Sequence, residues 1–100
     1  MISPNGKMEP LHYVIDYPDR YEILIDVPLA DESTLTIGLY KRVLKVRVKL
    51  RERLVIEEHE VREYVKRIIV PEDAEEEYEV EVVKTEGPII VVTFPKIGRP

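Results

Sequence analysis

Pro88-Ile89-Ile90-Val91-Val92-Thr93-Phe94-Pro95-Lys96 is the stretch that decides the fold. Five of the six residues from Ile89 to Phe94 are apolar, and Ile89, Ile90, Val91 and Val92 are all β-branched. A run this short, fenced by Gly87-Pro88 and by Pro95, reads as a strand covered on both faces. Proline has no backbone N–H to give to a ladder, so the two prolines mark where pairing stops. A strand of this kind lies inside a sheet, and the other strands must be arranged around it.

Working back from it, Lys84–Gly87 reads as a hairpin turn. Tyr78, Val80 and Val82 then keep a two-residue period opposite Glu79 and Glu81. Glu72–Glu77 follows Pro71 with acidic residues, a composition that suits one helical turn. Tyr64–Val70 reads as a strand closed by Pro71. Leu44, Val46, Val48 and Leu50 alternate with Lys45, Arg47, Lys49 and Arg51, and Leu35, Ile37 and Leu39 alternate with Thr34, Thr36 and Gly38. Tyr21–Val27 alternates again and stops at Pro28, and His12–Ile15 reads as a short edge strand ended by Asp16-Tyr17-Pro18-Asp19, which is turn chemistry. Short strands separated by turns point to an all-β sandwich or barrel. Arg51–Arg62 stays open between a loop carrying a short strand at Leu54–Ile56 and a helix in which Leu50, Leu54 and Val61 share a face. Met1–Leu11, with Pro4, Asn5, Gly6 and Pro10, reads as a loose arm in which Ile2 and Met8 supply little apolar surface.

The composition supports this. Val and Ile number 25 of 100 residues and Ala only 2, a balance that favours strands over helices. One hundred residues form one domain with one core. The absence of Cys removes disulfides and thiolate chemistry. No apolar run approaches the roughly 18 residues of a membrane span, and Met1–Pro10 lacks an apolar signal core, so a cytoplasmic chain with no membrane partner is expected. Gln is absent, Asn occurs once, and 35% of residues are charged, a pattern expected of heat-adapted proteins.

The net charge of −5 argues against a general nucleic-acid binder. The charges nevertheless segregate: Lys41–Arg53 holds seven basic residues and Glu72–Glu81 seven acidic ones. Opposite charges pair if those strands lie side by side; otherwise Lys41–Arg53 is a solvated face or a basic binding face. Nothing resembles a nucleophile elbow, a phosphate loop or a dinucleotide fingerprint. Ser3 and Ser33 lie in the arm and a turn, His59 reads as exposed among Glu57, Glu58 and Glu60, and Asp16, Asp19 and Asp26 form no supported carboxylate pair. No catalytic residue, metal ligand or cofactor is therefore expected. What remains is a β-domain whose assets are apolar surface and strand edges, and such edges bind extended peptides by adding a strand.

Three segments together resemble the alpha-crystallin domain of small heat-shock proteins. Tyr21–Pro28 (YEILIDVP) is similar to the family's early strand running into proline after an acidic residue. Arg62–Asp73 (REYVKRIIVPED) is similar to its aromatic–basic–apolar strand ending in Pro-Glu-Asp. Ile89–Lys96 (IIVVTFPK) is similar to its closing strand ending in Pro-Lys. The resemblance covers Tyr13–Lys96, leaving 1–12 as an arm and 97–100 as a tail. The sequence departs from the pattern where Pro88 stands at the closing motif's glycine, with Gly87 one place early, and where a Val replaces the Ala of the preceding strand. The family's long apolar N-terminal region and its C-terminal Ile-X-Ile are missing; only Ile97 follows Pro95-Lys96.

The resemblance implies an immunoglobulin-like two-sheet β-sandwich. Tyr13–Ile15, Tyr21–Val27, Ile89–Phe94 and Tyr78–Val83 share one sheet, and Leu35–Leu39, Val43–Leu50 and Tyr64–Val70 the other. It implies a groove between the edge strands Leu35–Leu39 and Tyr78–Val83, with Leu35, Ile37, Leu39, Val80, Val82, Ile90 and Val92 lining it or filling the core behind it. It implies a homodimer using Tyr13, Ile15, Leu54, Val55, Ile56, Lys66 and Arg67. Leu54–Ile56 would be exchanged onto the partner near Tyr13–Ile15, and Lys66 would pair with an acidic residue of the partner. The implied function is that of an ATP-independent holdase, which binds exposed apolar segments of unfolding proteins. The rival is a CS-type adaptor for one defined protein partner, which a chain without the exchanged strand resembles more closely.

Overall fold

The computed structural model describes residues 5–84 and 87–98. They form eight strands: β1 (Lys7–Met8), β2 (Leu11–Asp16), β3 (Arg20–Asp26), β4 (Thr36–Tyr40), β5 (Val43–Ile56), β6 (His59–Ile69), β7 (Glu79–Lys84) and β8 (Pro88–Pro95). One sheet has the order β1-β6-β5-β4 and the other β2-β3-β8-β7. All pairs are antiparallel except β1–β6. This is the sandwich that the alternating segments predict, with β8 between β3 and β7.

Alternation builds the interior. Tyr21, Ile23 and Ile25 of β3 lie opposite Phe94, Val92 and Ile90 of β8, and all six are buried. Leu44, Val46 and Val48 of β5, with Tyr64 and Ile68 of β6, close the core from the other sheet. Tyr64 donates its hydroxyl to the Pro28 carbonyl at 2.9 Å, so the buried ring has a partner for its polar end. The segment crossing from β6 to β7 is pinned rather than helical. The Arg42 guanidinium donates to the carbonyls of Pro71 and Ala74, and Tyr21 donates to Asp73 at 2.7 Å.

The structure changes several of these readings. The N-terminal segment is not loose where it is described. Gly6, at φ +81°, turns the chain so that its carbonyl accepts from the backbone N–H groups of Arg62 and Glu63, and β1 then pairs with β6 while Met8 packs on the core. The edge strand expected at His12–Ile15 runs from Leu11 to Asp16. Of residues 51–62, the strand expected at Leu54–Ile56 is present, but it is the end of β5 rather than a piece within a loop, and no helix forms: β5 and β6 make one long hairpin with Leu54 opposite Val61 and Ile56 opposite His59. Glu57 and Glu58 make its two-residue turn at φ +48° and +68°. Both positions need a left-handed backbone, where Gly and Asn are the usual residues, so the sequence carries no turn signal there. The basic and acidic segments do not lie side by side, since β5 and β7 belong to different sheets. The basic residues of β5 instead meet β6, with Arg47 donating two bonds of 3.1 Å to Glu63. The turn expected at Lys84–Gly87 includes residues 85 and 86, and the arm and tail include 1–4 and 99–100; these lie outside the described residues.

The sandwich also has two outward faces. On the β2-β3-β8-β7 sheet, Leu11, Asp26, Ile89 and Val83 form one cross-strand row, and Tyr13, Leu24, Val91 and Glu81 the next; Ile15, Glu22, Thr93 and Glu79 form a third. On the other sheet, Tyr40, Val43 and Ile69 form an apolar row beside Gly38, Lys45 and Arg67, then Thr36, Arg47 and Val65. Strand β8, expected to be covered on both faces, is therefore covered on one face only by the described residues. Ile90, Val92 and Phe94 are buried, whereas Ile89 and Val91 are half-buried on the outside.

Replacing Glu57 by Asn and Glu58 by Gly relieves two left-handed non-glycine residues. The double variant is expected to gain about 1 kcal/mol, or roughly 4–8 °C in a domain of this size, read as the thermal unfolding midpoint. An unchanged midpoint would count against the two-residue turn.

Candidate functional site

The site to test is the flank where the edge strand of each sheet ends the sandwich. On β4, Ile37 and Leu39 lie opposite Val46 and Leu44, so they point inward, and Leu35 just before the strand joins them against the core. On β7, Val80 and Val82 lie opposite Val92 and Ile90 and point inward as well. Strands further in are covered on this side by their neighbours; these two are not. Leu35, Ile37, Leu39 and Val82 are consequently half-buried, and Val80 is 41% exposed. The flank is thus a line of inward-turned aliphatic side chains between two edges whose outer backbone groups have no strand partner among the described residues. At one end Lys84 of β7 meets Glu32, in the 3-10 turn before β4, at 3.3 Å. Beside that ion pair, Leu35, Val48, Val82 and Ile90 close over a small apolar dimple with no room for a water molecule.

The structure divides the groove candidates. Leu35, Ile37, Leu39, Val80 and Val82 are reachable from outside. Ile90 and Val92 are 1% and 0% exposed and belong to the core behind. A residue on an interior strand has neighbours on both sides, so only edge strands can present inward side chains to a ligand.

The interface candidates are not brought together. Tyr13 and Ile15 stand on the outward face of β2, at 60% and 37% exposure. Leu54, Val55 and Ile56 pair with β6 of their own chain, so the exchanged strand expected there is replaced by a hairpin. Arg67 is exposed on the outward face. Lys66, opposite Val46 and between Tyr64 and Ile68 in the alternation, turns toward the interior at the opposite flank, next to His12 of β2. There it blunts an exposed edge, as an inward-pointing charge does.

Electrostatics at that flank are specific. Burial, with Lys66 near by, pushes the His12 imidazole below its usual range. Hydrogen bonding to Arg47 holds the Glu63 carboxyl below the ordinary carboxylate range. Tyr21 is pushed up to about 12 by its bond to Asp73. Among the described residues no group of three or more His, Cys, Asp or Glu side chains is placed to hold a metal ion, and no helix is long and apolar enough to cross a membrane.

This architecture, two four-stranded sheets with apolar side chains at open edges, is that of an alpha-crystallin-type β-sandwich. Among solved structures the chain is similar to HSP18.5 from E. histolytica, with a TM-score of 0.72 and 19% identity over 93% of this chain and 92% of that one. It is similar to heat shock protein 16.0 from Schizosaccharomyces pombe, with a TM-score of 0.71 and 15% identity over 98% of this chain and 78% of that one. A small heat-shock protein from Xylella fastidiosa matches with a TM-score of 0.71 and 14% identity over 93% and 90%. At the level of sequence no family model matches the chain, and no curated protein does. The likeness is one of fold: the chain has the sandwich of small heat-shock proteins.

Because the folded state favours neutral His12, the unfolded chain takes up this proton first as the pH falls. Stability from His12 is complete above its ordinary value of 6.5 and declines as the pH drops through 6.5 toward the lowered folded value. Between about pH 7.5 and 5.5, His12→Gln is expected to lose less in unfolding midpoint than the parent. Equal losses would remove His12 from the account.

Proposed function

We propose that the chain is an ATP-independent holdase of the small heat-shock type that binds exposed apolar segments of unfolding proteins. The observation that carries this reading is the β4–β7 flank, where five aliphatic side chains lie between two unpaired strand edges. An extended apolar segment laid there gains main-chain hydrogen bonds from an edge and side-chain burial from the flank. Neither contribution needs nucleotide, metal or catalysis, and the chain is read as no enzyme. In this reading the working unit is the sandwich of residues 13–96 together with β1, residues 97–100 are a tail, and the protein acts in the cytoplasm. A homodimer forms through strand edges on the opposite flank. There β2 is open, β6 is unpaired beyond β1, and Lys66 lies between them, facing an acidic group of the partner. Neither a membrane nor a nucleic acid is a partner.

One observation favours the CS-type adaptor as a second reading. Leu54, Val55 and Ile56 are paired within their own chain, which removes the exchanged strand that a small heat-shock dimer of that kind uses. An adaptor captures one partner and leaves general clients to aggregate.

A holdase suppresses heat aggregation of several unrelated clients at near-stoichiometric amounts, followed by light scattering. No suppression even at large molar excess would sink this reading. Val82→Asp places a carboxylate against the flank, where a bound apolar segment would bury it. The variant is expected to weaken binding of a fluorescent peptide of the form Ile-X-Ile at least about tenfold. Ile69→Asp, on the outward face of the other sheet, is expected to leave this binding unchanged.

A further inference from the structure

The closing strand reads in sequence as covered on both faces, yet the described chain covers only one. The uncovered face is organised. Leu24 and Val91 at its centre, with Tyr13 beside them and Ile89 one row away, make a contiguous apolar field across three strands. Glu79 and Glu81 border it on β7, exposed and without an ion pair among the described residues.

The outward face of the other sheet is its complement. Tyr40 and Ile69, 73% and 82% exposed, flank Val43 in an apolar row. The next row holds Lys45 and Arg67, again without an ion pair among the described residues. One face is thus apolar edged with unpaired acid, and the other apolar edged with unpaired base. Each carries exposed large apolar side chains of a kind that marks contact surfaces when contiguous.

We propose that the two outward faces bind each other between copies of this chain. The β4-β5-β6 face of one molecule stacks on the β2-β3-β8-β7 face of the next. Tyr40 and Ile69 then cover the Leu24–Val91 field, and Lys45 and Arg67 meet Glu79 and Glu81. The occupant is a second copy because the chain itself supplies the opposite charge in the matching arrangement. Each face is far from self-complementary, since acid would meet acid on one and base would meet base on the other. The contact is therefore heterologous. It uses a different patch on each partner, leaves both strand-edge flanks free, and propagates into a ring or an open stack.

The test is sedimentation of the full chain over a wide concentration range at low and high salt. The wild type is expected to gain mass with concentration beyond a dimer of the 11.7 kDa chain, and to lose it as salt shortens the Debye length to a few ångströms, about 3 Å at 1 M. Ile69→Asp and Leu24→Asp each disable one face. Alone, each is expected to lose this growth, with self-association weakened at least about tenfold. Mixed, they still share one intact pair of faces and are expected to form a heavier complex that neither forms alone. A symmetric contact or an edge-to-edge dimer gives no such complementation. Arg67→Glu and Glu81→Lys, both at exposed positions, serve if an apolar substitution unfolds the chain. Each single change is expected to abolish growth, and the two in one chain to restore it. A wild type that stays monomeric or dimeric at every concentration overturns the proposal, as does a folded mixture without complementation.

Discussion

A two-layer sandwich has one interior, and every strand in it must turn alternate side chains outward. That constraint governs the molecule. Tyr21, Ile23 and Ile25 pack with Ile90, Val92 and Phe94 because a two-residue period brings each set to one side of its sheet. Once the interior is full, further apolar residues have nowhere to go except an edge or an outer face. The chain is rich in Val and Ile on alternate and adjacent positions alike, so it carries more aliphatic side chains than the core accepts. Where the excess falls decides which surfaces are sticky.

It falls in two kinds of place. At β4 and β7 the excess is inward-facing but lies at the margin, where no further strand covers it. That geometry suits an extended segment, because a strand edge offers backbone donors and acceptors beside the side chains. On β3 and β8 the excess is outward-facing and lies on a broad sheet, where the strands are paired on both sides. That geometry suits another sheet or a flat surface. Small residue-level facts separate the two: Val82 lies opposite Ile90 and so points in, while Val83 lies opposite Ile89 and so points out.

The legibility of the fold follows the same line. The strands themselves were readable from clean alternation and proline ends, whereas sheet membership came only from the resemblance of three segments to the alpha-crystallin domain. The hairpin at residues 54–61 was not readable. Its turn uses Glu57 and Glu58 in left-handed conformations that charged residues rarely adopt, and tertiary pairing overrides the local preference. The parallel pairing of β1 was hidden because only Gly6 signals it, and a lone glycine among polar residues marks a loop as readily as a turn. In the groove, the five edge residues and the two core residues share one alternation. Sequence gives parity within a strand but not its distance from the sheet edge, so Ile90 and Val92 read as equivalent to Val80 and Val82.

Charge placement adds a constraint that alternation alone does not. Arg47 is satisfied within its own sheet by Glu63, whose carboxyl is held low by that contact. Lys45 and Arg67, in the adjacent row, have no acidic residue on their face within an ion-pair distance among the described residues. Moving the acidic cluster of β7 beside β5 would have neutralised them and left a blander surface. Keeping the clusters on opposite sheets instead gives the molecule a positive side and a negative side. A charge on a sheet face repels its like and also discourages indiscriminate apolar sticking, so the apolar rows at Tyr40–Ile69 and Leu24–Val91 are protected from pairing with themselves while remaining open to a surface of opposite sign. The same residues that keep two like faces apart therefore determine which unlike face each can meet.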